Sequence, residues 1–251
     1  MNRELEGVYA LWKRELVRFY RSKSRIIGSL GMPFFFLAIL GTGLNGVFPI
    51  GSGLSYLQFM APGIVGMVLM FGSMFSGITV LMDRQFGFLR ETLVAPVSRL
   101  SIVAGKSLGG ATTAVVQAII MLGVSMLLGA SLQLANLVVL LAFMFLISLM
   151  FVAFGVAIAS LLDDMHGFQM IMNFIIMPLF FLSGALFPLT SAPAALQAIS
   201  MADPLTYGVD GMRYLLLGTS SISFAVSLGV ISAFTAVFMV LAAWLFSRIE
   251  E

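Results

Sequence analysis

Three groups of residues have types and spacing that could do chemistry. Asp163, Asp164 and His166 put two carboxylates beside the chain's one histidine, a pattern that invites a metal or a proton relay. They are neighbours in a short polar turn between apolar segments. The bland reading, a turn held out of the membrane, takes precedence, and no metal site is expected. Gly105-Lys106-Ser107 looks like the end of a phosphate loop, but that motif needs a glycine at position 100, where Leu100 stands. Asp210 and Arg213 are three apart, a helical spacing that permits an ion pair, and a structural role is expected for it. With no cysteine, thiolate metal sites and cysteine nucleophiles are excluded. No catalytic residue is assigned.

The elements that carry these residues follow from composition. The chain has 251 residues, 60% hydrophobic and 10% charged, with a formal net charge of +2. A soluble domain carries about 25% charged residues. The mean hydropathy of +1.08 agrees, and the chain is expected to be an all-α polytopic membrane protein. Charge-free runs cover 26–82, 107–162, 167–202 and 214–247. A span needs about 20 apolar residues, so the first two runs each hold two helices and the last two one each. Gly/Pro/Asn clusters divide them into spans at 26–47, 58–82, 103–129, 136–162, 168–187 and 223–247. Residues 188–222 are too short to cross, and are expected as a partly embedded or surface-lying hairpin.

Twelve of the thirteen basic residues then fall on one side of this six-span arrangement, with Arg213 alone on the other. The positive-inside rule places both termini in the cytoplasm. The basic, then apolar, amino terminus is expected to stay as a helix of the mature protein, since a signal h-region is shorter than the first span. Residues 1–25 form an amphipathic helix, with Trp12 and Tyr20 at headgroup depth and Lys13, Arg14 and Arg18 on other faces. It reads as a topology anchor or as a contact for a partner. The loop at 83–102, extending to Lys106, mixes both charge signs with Phe86 and Phe88, and reads either as a docking helix or as a structural connector.

Polar residues inside the spans include Gln169 and Asn173, four apart on one helical face, which could touch a transported molecule or bond between helices. Neither is ionisable, which argues against a proton-driven transporter. A pathway lined by Met67, Met70, Met74, Met170, Met172 or Phe180 would suit an amphiphile. Gly105 with Gly109, and Gly155 with Ala159, have the spacing that lets helices approach closely.

Between 182 and 213 the chain resembles type-2 ATP-binding-cassette exporter permeases. The resemblance rests on Ser183-Gly184, Phe187-Pro188, Pro193, Pro204-Leu205-Thr206-Tyr207, Val209-Asp210 and Arg213. Glu91-Thr92-Leu93, Pro96-Val97-Ser98-Arg99 and Gly105-Lys106 are similar to that family's coupling segment. Tyr56-Leu57 and Ala61-Pro62-Gly63 are similar to the start of its second span. Asp203 departs from the Asn more common there. The resemblance implies a dimer of six-helix subunits (homodimer or related heterodimer) in a prokaryotic plasma or inner membrane, each paired with a cytoplasmic ATPase that binds ATP and Mg. No cofactor belongs to this chain and no nucleic acid is a partner. Arg84, Phe88, Arg90, Glu91, Thr92, Leu93, Pro96 and Arg99 would couple to that ATPase. Gly184, Pro188, Asp203, Pro204, Tyr207, Asp210 and Arg213 would build a re-entrant hairpin on the exit side. A hydrophobic drug-like, lipid-linked or glycan substrate would move outward. An ATP-independent channel or secondary transporter is the alternative, and a membrane-embedded enzyme a third.

Overall fold

The computed structural model describes residues 3–45, 53–85 and 98–248. Among them there is no strand. The helices are α1 (Arg3–Arg21), α2 (Lys23–Phe35), α3 (Tyr56–Gln85), α4 (Arg99–Leu127), α5 (Leu137–Leu161), α6 (Met165–Ile171), α7 (Met177–Leu182), α8 (Ala194–Ser200), α9 (Pro204–Leu217) and α10 (Phe224–Ser247). A π-helical segment, Phe36–Gly41, continues α2, and a second, Met172–Ile176, joins α6 to α7.

Among the described residues, five helical segments are long and apolar enough to cross a membrane: Tyr56–Gln85, Arg99–Leu127, Leu137–Leu161, Met165–Leu182 and Phe224–Ser247. The remaining candidate, Ile26–Gly41, follows α1 across a 69° bend. Counted as one span, this bent pair is a sixth candidate. Ser22 interrupts the helical run, and its amide bonds back to the Phe19 carbonyl at 3.1 Å. The chain is a multi-pass, all-helical membrane protein.

α3 is the post around which the others stand. It packs against α2, α4, α5, α6 and α9. Its residues from Tyr56 to Met70, apart from Gln58, are buried all round. In lipid there is little hydrophobic drive between helices, so contact depends on close packing, which small residues permit. Gly77 faces Gly155 of α5 backbone to backbone. A Cβ on Gly77 would lie 2.4 Å from the Gly155 carbonyl oxygen and 2.9 Å from its Cα. The Gly105/Gly109 pair receives α1: a Cβ there would meet Leu11 Cβ at 2.8 Å and Glu15 Cβ at 2.6 Å. Gly105, Gly109 and Gly155 therefore serve contacts within the chain.

The stretch between α7 and α10 folds as two short helices. α9 is 14 residues long, about 21 Å at 1.5 Å per residue, too short to cross. It is largely buried within the bundle, packed against α3, α5 and α10. Asp203 caps it, accepting from the Leu205 amide at 2.8 Å, and Pro204 takes the first helical turn, where no N–H is needed. Gly218, at φ 71°, ends it in the left-handed conformation. The Tyr207 hydroxyl donates to the Met201 carbonyl at 2.9 Å, and Ser200 Oγ to the Leu182 carbonyl at 2.6 Å. These bonds tie the pair to itself and to α7.

Two predictions follow from this packing. Gly77→Ala presses a methyl group onto backbone that cannot yield, and should destabilise the protein by about 1–3 kcal/mol. Gly123→Ala, with nothing within 4 Å of the added Cβ, should leave the midpoint of thermal unfolding in detergent unchanged or slightly raised. Equal losses in the two variants would contradict the packing account. The second concerns Asp203. Burial pushes its carboxyl up to about 7, against the pull of the Leu205 amide and the Thr206 hydroxyl. An acid raised on folding favours its protonated form. Its stabilising contribution is complete below about pH 4 and is lost as pH rises through about 7. Asp203→Asn keeps a cap acceptor without the charge. It should raise stability at pH 8 by up to about 4 kcal/mol and flatten the slope between pH 4 and 7. Superimposable stability–pH curves for the two proteins would contradict this.

Candidate functional site

Asp83 and Lys106 gather the first part of the site. The expected spans, 58–82 and 103–129, leave Asp83 in the loop and put Lys106 near the start of the next span, where the loop segment ends. Instead α3 continues to Gln85 and α4 begins at Arg99, so both residues are helical and both are buried. Lys106 Nζ donates to Asp83 Oδ2 at 2.5 Å, and the side chains are 2% and 3% exposed. Isolated, either charge would be costly in this setting; paired, each offsets the other's desolvation. That is why the helices run past the positions where charge suggested they should stop.

α1 closes on the same carboxylate. Arg14 Nη2 donates to both Asp83 oxygens at 3.3 and 3.4 Å, and Arg18 Nη2 reaches Oδ1 at 3.4 Å. Glu15, buried against Gly109, lies 3.7 Å from Arg18. Trp12 makes a direct contact with α4. Its indole N–H turns into α4 and donates to Thr112 Oγ1 at 3.1 Å. Tyr20 and Lys13 stay exposed. At the amino end of α1, Glu4 accepts from the Ser98 amide, the Ser98 hydroxyl and the Ser101 hydroxyl. These bonds hold its carboxyl below the usual range. Glu4 thus adds an acceptor to the start of α4, which Ser98 already caps. α1 is a strut fastened across α3 and α4, rather than a helix lying only on lipid.

These contacts bracket residues 86–97. Of the residues that the resemblance assigned to coupling, Phe88, Arg90, Glu91, Thr92, Leu93 and Pro96 lie outside the described residues. Arg84 and Arg99 frame the gap. Arg84 pairs with Asp163 at 3.1 Å and donates to the Leu162 carbonyl at 3.3 Å. Arg99 donates to the Ser247 carbonyl at the end of α10. Asp163 therefore meets a basic residue of its own chain. Asp164 caps α6, accepting from the Gly167 amide at 2.7 Å. Among the described residues no group of His, Cys, Asp and Glu could hold a metal.

A cavity of ≈ 520 Å³ opens beside this cluster, between α1, α2, α3, α4 and the α6–α7 span. Phe71, Phe75, Met67, Met32 and Met177 give it an apolar lining, with Glu15, Ser29, Gln117 and Asn173 as polar points. Gln117 donates to Ser29 Oγ at 3.1 Å. Of the expected pathway residues, Met67 and Asn173 line this cavity. Gln169 and Met170 are exposed nearby on the α6–α7 span. Met70, Met74 and Phe180 are fully buried core residues, and Met172 is 7% exposed. They pack between helices and do not line this cavity. Both spans with π-helical segments, each carrying a proline (Pro33 and Pro178), wall this cavity. Proline removes a helical donor, and such irregular turns recur at functional sites.

At the opposite end the two charges expected to pair attract each other without direct contact. Among the described residues no ion pair joins Asp210 to Arg213. Asp210 accepts instead from the Ser221 and Ile222 amides at 3.0 and 2.9 Å, fixing the turn before α10. Arg213 stacks on the Phe59 ring at 4.0 Å and donates to the Gly184 carbonyl at 3.1 Å. The three-residue spacing predicts a salt-bridge partner for Asp210, but the backbone amides of the next turn hold its carboxylate more fully.

The comparisons agree with this architecture. Residues 6–217 match the family described as ABC-2 type transporter. The ycf38 protein of Cyanophora paradoxa, named as a candidate transport permease, is 31% identical over 92% of this chain and 81% of its own length. Nodulation protein J of Rhizobium leguminosarum bv. viciae is 28% identical, covering 96% of this chain and 94% of its own. The inner membrane transport permease YadH of Escherichia coli K12 is 24% identical, covering 95% and 94%. A family match over most of the chain, carried on an all-helical membrane bundle, makes this protein a transport permease of the ABC-2 type transporter family.

Proposed function

We propose that this chain is the membrane-spanning subunit of an ATP-driven exporter, working as a dimer with separate cytoplasmic ATPase subunits. The observation that carries the reading is the strut. α1, the end of α3 and the start of α4 are fastened through Asp83 into one body on either side of 86–97. A segment bracketed in this way can pass a push from a docked partner into three helices at once. The failed phosphate-loop spacing at Gly105-Lys106-Ser107 supports a division of labour in which another chain hydrolyses ATP.

The basic residues of α1, with Arg84 and Arg99, favour the cytoplasmic side for both termini and for this cluster. The relative named an inner membrane permease supports a prokaryotic cell membrane as the location. The hairpin of α8 and α9 then faces outward. The cavity's lining of methionines and phenylalanines with a few neutral amides suits a hydrophobic or amphiphilic substrate, such as a drug-like or lipid-linked molecule or a glycan carried on lipid.

The test is purification from the native host in mild detergent. An ABC ATPase should co-elute with the wild-type chain, and Arg90→Ala/Glu91→Ala should weaken that association severalfold. Absence of any ATPase would overturn the exporter reading. Full retention in the double variant would overturn the assignment of those two residues.

A further inference from the structure

The hairpin end holds a second cavity, of ≈ 630 Å³, between the start of α3, the 183–191 turn, α9 and the 219–222 turn. Its charged lining residues are Asp210 and Arg213. Asp210 is committed: each of its carboxylate oxygens accepts a backbone amide. Arg213 is only partly used. Nη2 donates to the Gly184 carbonyl at 3.1 Å and grazes the Phe59 carbonyl at 3.5 Å. Nε is buried and has no partner among the described residues. Nη1 likewise has no acceptor among them. The guanidinium keeps its charge and presents donors in a rigid fork, which matches the oxygens of a phosphate or carboxylate. Its plane is already oriented by the Phe59 ring, so little further ordering is needed on binding. Thr190, Thr219 and Ser220 add hydroxyl groups to the wall.

We infer that this cavity is an anion-binding subsite, in which Arg213 holds the phosphate or carboxylate oxygens of a free anion or of a lipid headgroup. That it serves the exit side rests on the orientation proposed above.

The test uses the full chain in two arms. In detergent, inorganic phosphate at constant ionic strength should raise the thermal midpoint saturably. In nanodiscs, the midpoint should be compared between phosphatidylglycerol and phosphatidylcholine. A phosphate response identifies a free-anion site; a response confined to phosphatidylglycerol identifies a headgroup site; either supports the inference. Arg213→Gln should abolish the response. Arg213→Lys keeps the charge but loses the fork, and should weaken half-saturation about tenfold. It carries the comparison if the glutamine variant does not fold. No saturable response in the wild-type chain, or equal responses in wild type and Arg213→Lys, would overturn the inference. The orientation is tested separately. The chain has no cysteine, so Ser220→Cys gives a single label site for an impermeant maleimide on whole cells. Labelling only after the cells are opened would overturn the exit-side reading while leaving the binding result intact.

Discussion

A carboxylate and an ammonium can be buried at the end of an apolar helix bundle only if each answers the other. Asp83 and Lys106 do so at 2.5 Å, almost without exposure. Their pairing lets α3 and α4 keep helical geometry beyond the apolar runs, and fixes the separation of the two helix ends around 86–97. It also leaves Asp83 with a free oxygen face, which Arg14 and Arg18 fill from α1. The four charges form one network, with its buried pair inside and its half-exposed arginines outside. Replacing one buried partner leaves the other uncompensated, so the network is sensitive at its centre and tolerant at its rim.

The rest of the bundle divides between rigid and irregular parts. The α3–α5 contact is set by glycine backbones that leave no room for a methyl group. α2 and the α6–α7 span carry prolines and π-helical turns, and these two flank the larger apolar cavity with α3. A bundle built this way has a stiff spine and two adjustable walls. Under the proposed coupling, a push through the Asp83 network would enter at the spine and at α1, next to the cavity that Glu15 and Phe19 of α1 help to close.

Much of this was legible in the sequence because lipid imposes simple rules. Charge-free runs located the helices to within a few residues. The Gly105/Gly109 and Gly155 spacings correctly flagged close helix contacts, though sequence could not say which helices would meet. Three features were hidden for physical reasons. Asp83 and Lys106 are 23 residues apart, and as end-of-run charges they look exposed until folding brings them together. Trp12 fits a headgroup belt by its type and place, and its bond to Thr112 of α4 is set by a contact 100 residues away in sequence. Asp210 and Arg213 fit an ion pair at their spacing, and nothing in the sequence shows that the 221–222 amides compete for the carboxylate. A signal for the first feature did exist: an acidic and a basic residue each bounding a long apolar run, on segments joined by one loop.

If the Asp83–Lys106 pair holds α1, α3 and α4 as one body, a double-mutant cycle across the pair will show strong coupling. The stability of wild type, Asp83→Asn, Lys106→Met and the double variant would be measured in the same detergent. Each single variant should lose about 3–5 kcal/mol, because one buried charge or polar partner is left unmatched. The double variant should lose much less than the sum of the two. Simple additivity of the two losses would contradict the claim.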